Sequence, residues 1–152
     1  MEAIAPDQIR SAVRTFWTLF CTKDKNRFDQ LYAPTATVFA ADARRCEPAR
    51  LMLIRREREL FSSGSLVKAQ LGEITVQLLT SNLAAASYPL HFAVTRSLLN
   101  GSRVQVDVPF ARVTQVFHRG EDGVLAIIHE HMSSAEPTSP KTLPAEASAA
   151  RK

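Results

Sequence analysis

The sequence predicts an α+β domain in which helices cover one face of a curved antiparallel sheet. Apolar residues recur at three- and four-residue spacing through the first half, and from Leu66 onward the period falls to two. Asn100-Gly101 and Asp122-Gly123 punctuate the second half as hairpin turns.

Each element has its own signal. Pro6-Asp7 opens a helix whose apolar stripe is Ile9, Val13, Phe16, Trp17 and Phe20. A short second helix is expected over 23–32, and the run TATVFA at 35–40 has the β-branched and aromatic character of a strand. Pro48 stands where helices start, and a third helix runs from there until Ser62-Ser63-Gly64 stops it. Strands follow at 66–79, 83–98, 102–118 and 124–133. After Ser133 the composition changes: the remaining residues hold three of the eight prolines, and Leu143 is their single large aliphatic side chain. Such a stretch cannot bury enough apolar surface to repay its ordering entropy. The folded unit is therefore read as 5–133 and 134–152 as a disordered tail.

With 45% apolar and 22% charged residues in 152, the chain can bury a core without a metal or disulfide staple. Cys21 and Cys46 lack any C-x-x-C spacing, which argues against a disulfide framework or a zinc ribbon. No window has the apolar length of a membrane span, and MEAIAPDQIR lacks the basic start and apolar run of a signal peptide. A cytoplasmic protein with no membrane partner is expected. The net charge of +4 is modest, and the arginines between Arg44 and Arg58 are diluted by Glu47, Glu57 and Glu59 without interleaved aromatics. Nucleic acid is not an expected partner.

Strict alternation places Val104, Val106, Val108, Phe110, Arg112, Thr114 and Val116 on one face of the third strand, and Arg103, Gln105, Asp107 and Gln115 on the other. A guanidinium at Arg112 on an apolar face needs an anionic ligand or an internal partner. Glu57, on the helix stripe expected to face the sheet, is the internal candidate. His129 and His131 share a face of the last strand, but both faces start apolar, so alternation leaves their side open. At neutral pH such histidines serve as structural hydrogen-bonding groups or as general acid and base. Tyr88 would need a partner for its hydroxyl if its face is interior. Gly123, His129, His131 and Glu136 also fit the spacing of a cupin metal motif, but no second motif follows and a half-helical start is foreign to a jelly roll. No metal and no cofactor is expected.

The run from Arg112 to Ser133, with R-x-T-x-V, Asp122-Gly123 and His129-x-His131-x-Ser133, resembles the closing hairpin of SnoaL-like proteins in the nuclear transport factor 2-like superfamily. It is similar also to the association domain of calcium/calmodulin-dependent protein kinase. Upstream, Lys23-Asp24, Leu31-Tyr32-Ala33-Pro34 and Ala36-Thr37-Val38 match the family's entry into its first strand. The resemblance implies a cone-shaped roll in which three N-terminal helices pack on a strongly curved antiparallel sheet and enclose an apolar pocket. It departs from the family at Leu125, where a tryptophan is usual. Laying the ketosteroid isomerase pattern on the chain puts Ala40 at the proton-shuttling aspartate, Phe16 at the oxyanion tyrosine and Val113 or Thr114 at the second donor, so that chemistry lacks its groups. Asp42 is the nearest carboxylate that could substitute as base.

Two function classes follow from the resemblance. The first is a cofactor-independent isomerase, cyclase or lyase acting on a small hydrophobic metabolite, with His131, Arg112, His129 and Asp42 as the catalytic set. Trp17, Phe16, Tyr88, Phe110, Thr114 and Glu57 would then surround the ligand. The second is a non-catalytic module that binds a carboxylate-bearing molecule or assembles copies of itself. A homodimer is expected in either case, through an outer sheet face carrying Val113 and Phe117.

Overall fold

In the computed structural model, which describes residues 3–41, 43–61, 64–134 and 141–143, the first apolar stripe becomes the inner face of α1 (Pro6–Thr22). Pro6 presets the helical φ, and the Gln8 side chain accepts from the Ala5 amide at 2.9 Å, closing the N-terminus. Lys23 ends the helix in the left-handed region at φ 58°, its amide returning to the carbonyls of Leu19 and Phe20. Asp24 then caps α2, which is only Lys25–Asp29, and β1 (Tyr32–Phe39) begins earlier than expected. After the two-residue β2 (Glu47–Pro48), α3 (Ala49–Arg56) continues into a π-helical turn at Glu57–Phe61. The wider turn rotates the helix face. It buries Leu60 and sets Phe61 against Phe20, with ring centroids 5.6 Å apart.

The expected strand over 66–79 is two strands, β3 (Leu66–Leu71) and β4 (Thr75–Leu78), broken at Gly72. A Cβ there would lie 2.4 Å from Pro89 Cγ, and the Gly72 amide donates to the Pro89 carbonyl at 2.9 Å, so only glycine permits this approach. With β5 (Leu83–Ser97), β6 (Arg103–Arg119) and β7 (Leu125–Ser134) they form one curved sheet of order β2-β1-β7-β6-β5-β3, β4 lying on β5. Helices on a curled sheet are the expected α+β roll. One pair departs from the antiparallel expectation: β1 runs parallel to β7, because the chain reaches β7 through the whole sheet and not through a hairpin. Lys141–Leu143 form β8 on Arg103–Gln105 of β6. Three residues of the segment read as a tail are thus strand, and Ser134 still belongs to β7.

Two β-bulges decide which side chains face the helices. Between β5 and β6, Leu90 pairs with Ala111 but Phe92 pairs with Val108, so β6 carries one extra residue. The inner set therefore changes from Val108 to Ala111, Val113, Gln115 and Phe117, all buried, while Phe110 is 67% exposed. Between β6 and β7, Val116 pairs with His129 but Phe117 pairs with Ile127, so the extra residue lies in β7. Inward positions pass from Ile127 to Glu130, and His129 turns outward.

These shifts correct several expectations. Arg112 and Thr114 do not continue the apolar inner face; they lie outside, cross-strand from Pro89 and Ser87. Gln115, expected outside, is fully buried, and Val113 and Phe117, expected on a dimer-forming outer face, are core. Glu57 is no partner of Arg112: it is nearly half exposed and meets Lys25 at 3.7 Å.

The core sits between α1, α2, α3 and the inner sheet face. Phe28 is its centre, with ring centroids 4.8 Å from Phe16 and 5.4 Å from both Phe20 and Phe61. Among the described residues no helix is long and apolar enough to cross a membrane. The reassigned faces predict opposite outcomes for near neighbours on β6. Arg112→Ala should change unfolding free energy by less than about 0.5 kcal/mol, whereas Phe117→Ala should cost about 3–5 kcal/mol; chemical denaturation monitored by circular dichroism measures both.

Candidate functional site

At one end of the roll, beyond the aromatic core, lies a cavity of about 680 Å³. Phe39 and Ala40 at the end of β1, Leu60 of the π turn, Phe92 and Val94 of β5 and Val108 of β6 supply its apolar wall. Arg56, Glu59, Arg96 and His131 supply its charged or titratable groups. Apolar walls with a few polar groups are the usual composition of a small-molecule site.

Arg56, Phe92 and Met132 also border a second void of about 20 Å³, which Glu130, Tyr32, Trp17 and Met52 line on its far side. These three shared side chains therefore form the partition between the cavity and the buried carboxyl of Glu130. Arg56 leans over the Phe20 ring, its guanidinium carbon 5.8 Å from the centroid.

Glu130 is 5% exposed, and its neighbours explain how a carboxyl is tolerated there. Gln115, its cross-strand partner, donates to Oε2 at 2.7 Å, and the Tyr32 hydroxyl donates to the same oxygen at 3.2 Å. Tyr88 donates to Gln115 Oε1 at 3.0 Å, and Trp17 Nε1 donates to the Tyr88 hydroxyl at 2.8 Å. A single hydrogen-bonded chain thus runs from α1 through β5 and β6 to β7 and on to β1. Burial pushes the Glu130 carboxyl above the usual carboxylate range. The Gln115 hydrogen bond, the Arg56 charge and the Tyr32 hydrogen bond pull part of that shift back. Burial, and then the negative charge of Glu130, raise both tyrosines, so they remain donors at neutral pH.

No protein-family model matches the chain, and no curated protein sequence does. Solved structures do. An NTF2-like protein of unknown function from Pseudomonas putida KT2440 superposes with a TM-score of 0.65 at 19% identity, over 84% of this chain and 84% of its own. An uncharacterized protein with a cystatin-like fold from Caulobacter vibrioides gives 0.64 at 20% identity, over 86% and 89%. The association domain of C. elegans CaMKII gives 0.63 at 16% identity, over 84% and 94%. The fold is NTF2-like. These neighbours agree with the superfamily and the association-domain likeness expected from the sequence.

Within this NTF2-like roll the expected site residues separate. Trp17, Phe16 and Tyr88 are buried and border the inner void or its hydrogen-bonded chain. His131 lies at the cavity rim, its ring tilted against that of Phe39 with centroids 5.4 Å apart. His129 faces outward and shares a 2.8 Å hydrogen bond with Thr37 Oγ1, while Thr114 Oγ1 is 3.1 Å from Ser87 Oγ on the same outer side. Arg112, Phe110 and Glu57 do not reach the cavity, and Asp42 and Glu136 lie outside the described residues. Among the described residues no three His, Cys, Asp or Glu side chains converge as a metal site. Glu130, Gln115, Tyr32 and Arg56 were missed. The signal for them was present in the pairing of Gln115 with Glu130, but it shows only once the second bulge is placed.

The raised Glu130 ionisation makes stability depend on pH with a definite sign. The folded state holds the proton more tightly than the unfolded chain, so Glu130 stabilises the fold fully below the ordinary carboxylate range. That contribution falls as pH rises through the raised value. Thermal unfolding of wild type and Glu130→Gln across acid to neutral pH should therefore show wild type losing ground to the variant as pH increases. Parallel curves would contradict the assignment.

Proposed function

We propose that this domain takes one small apolar molecule bearing a carbonyl or carboxylate into its cavity and moves a proton on it without a cofactor, as an isomerase, cyclase or lyase does. The observation that supports the reading is a buried, hydrogen-bonded carboxyl, Glu130, behind the inner wall of an apolar cavity with an arginine beside it. An apolar pocket raises a carboxylate's basicity toward the neutral range, where a general base is most effective.

In this reading Glu130, ionised, accepts a proton from carbon adjacent to the ligand carbonyl. The C–H electron pair moves into the C–C bond, the carbonyl π pair moves onto oxygen, and the resulting enolate oxygen meets the Arg56 guanidinium. Glu130 then returns the proton to the same carbon or to its vinylogous position, so no other reactant is consumed. Tyr32 and Gln115 hold the carboxyl in place. Arg56 and Met132 are long, unbranched side chains, so the partition opens by rotamer change and not by movement of the sheet. His131 stands at the rim as a second titratable group. Arg112 and His129 have no part in this site.

The alternative is a binding or assembly module. It draws support from the likeness to an association domain and from the outer faces of β5, β6 and β7, where Ser87, Thr114, Val116 and His129 make a surface of mostly small side chains. A second copy on that surface would give the expected homodimer.

The sole tryptophan, Trp17, borders the inner void and reports on occupancy. Fluorescence titration with aryl and alkyl carboxylates and matched neutral ketones should identify ligands, and Arg56→Gln should weaken the carboxylates by about tenfold. For ligands that bind, wild type in D2O should exchange the protons next to the carbonyl, and Glu130→Gln should slow this by about 10²–10⁴-fold while still binding. Ligands that bind without any exchange would leave the binding module as the function.

A further inference from the structure

The cavity mouth is bordered by two features that the catalytic reading does not use. β5 passes its inward side chains Phe92, Val94 and Arg96 along the cavity and then runs out past it. At about 3.3 Å per residue the hairpin tip stands roughly 10 Å beyond Arg96. Leu98, 44% exposed, and Leu99, fully exposed, occupy that tip. Ala41 and Ala43 also line the cavity, and Ala43 leads directly into Arg44 and Arg45, both exposed.

The tip is built to hold its leucines outward. The Leu98 amide donates to the Ser102 carbonyl at 2.7 Å and the Gly101 amide to the Leu98 carbonyl at 3.0 Å. Asn100 Oδ1 accepts from the Ser102 amide at 3.0 Å and from its hydroxyl at 2.6 Å, and Gly101 takes the φ of 79° that the turn demands. The turn's polar groups are thus spent on one another. The two leucine side chains take no part in the turn's hydrogen bonds and lie outside the buried core, although a turn of this kind is ordinarily polar.

The geometry points to this rim as a docking surface for a membrane carrying anionic lipid, with Leu98 and Leu99 entering the interface and Arg44, Arg45 and Arg96 meeting the headgroups. Charge complementarity argues for the anionic surface: the exposed Arg96 lines the mouth, the exposed Arg44 and Arg45 directly follow its lining residue Ala43, and Glu59 is the one acid among its described lining residues. Aliphatic side chains at a tip flanked by guanidinium groups divide between acyl chains and headgroups as an interfacial segment does, without crossing the bilayer. Docked this way, the mouth faces the bilayer. The docking does not depend on the proton-transfer reading.

Co-sedimentation of the full chain with unilamellar vesicles tests it. Vesicles of equal parts phosphatidylglycerol and phosphatidylcholine should bind the protein, phosphatidylcholine alone at least about tenfold less, and added salt should release it. Leu98→Ser with Leu99→Ser should weaken binding by about tenfold or more with an unchanged thermal midpoint. Arg44→Gln with Arg45→Gln should weaken it and flatten the salt dependence. Failure of wild type to bind anionic vesicles, or equal binding by the leucine variant, overturns the assignment. So does light scattering that shows, without vesicles, a self-association which the leucine variant abolishes, because the leucines then belong to a second copy.

Discussion

A strand has only two faces, and one inserted residue exchanges them. Most of what this domain can do depends on that constraint being applied twice, once in β6 opposite Leu90 and Phe92 and once in β7 opposite Val116 and Phe117. The first insertion sends Phe110 and Arg112 outward and brings Val113, Gln115 and Phe117 under the helices. The second does the same in β7, exchanging His129 for Glu130. Because the two inner sets are adjacent, Gln115 and Glu130 become cross-strand neighbours, and the polar chain follows from their contact.

A carboxyl in such a place is costly unless its oxygens are met, and each donor that meets Glu130 comes from a different strand. Gln115 can point its amide at Glu130 only because Tyr88 occupies its carbonyl, and Tyr88 can do so because Trp17 donates to its oxygen. The chain therefore ties α1 to the sheet by a hydrogen-bonded route as well as by the aromatic packing around Phe28. Removing one member would leave another buried and unpaired, which makes the network a device for register as much as for chemistry. Its position behind Arg56, Phe92 and Met132 gives it low-dielectric surroundings, and burial pushes the carboxyl above the usual carboxylate range.

The two ends of the cavity differ in character. The inner end is set by five secondary-structure elements and a continuous hydrogen-bonded chain. The mouth is made of a loop, a π turn and a hairpin that leaves the sheet. A π turn stores an irregular hydrogen-bond pattern within a helix, and here it places Leu60 on the cavity wall while Arg56, one residue before it, guards the partition. In the proposed function, selectivity for an apolar body would belong to the wall, orientation of a polar head to Arg56, and access to the rim.

The roll itself is legible in the sequence. The stripe from Ile9 to Phe20, the switch to two-residue alternation after Leu66 and the Asn100-Gly101 and Asp122-Gly123 turns are local features, each set by a residue's own backbone preference and by simple periodicity. The side on which a chemical group lies was not legible, because alternation counts residues from a strand's start and a bulge resets the count. Leu125 and Ala126, Ile127 and Ile128 make the first turns of either face of β7 equally apolar, so the chain carries no local mark of the inserted residue. Curvature around the helices and pairing with β6 decide it. That decision is tertiary, and it is why Glu130 stands inside while Arg112, His129 and Thr114 stand outside.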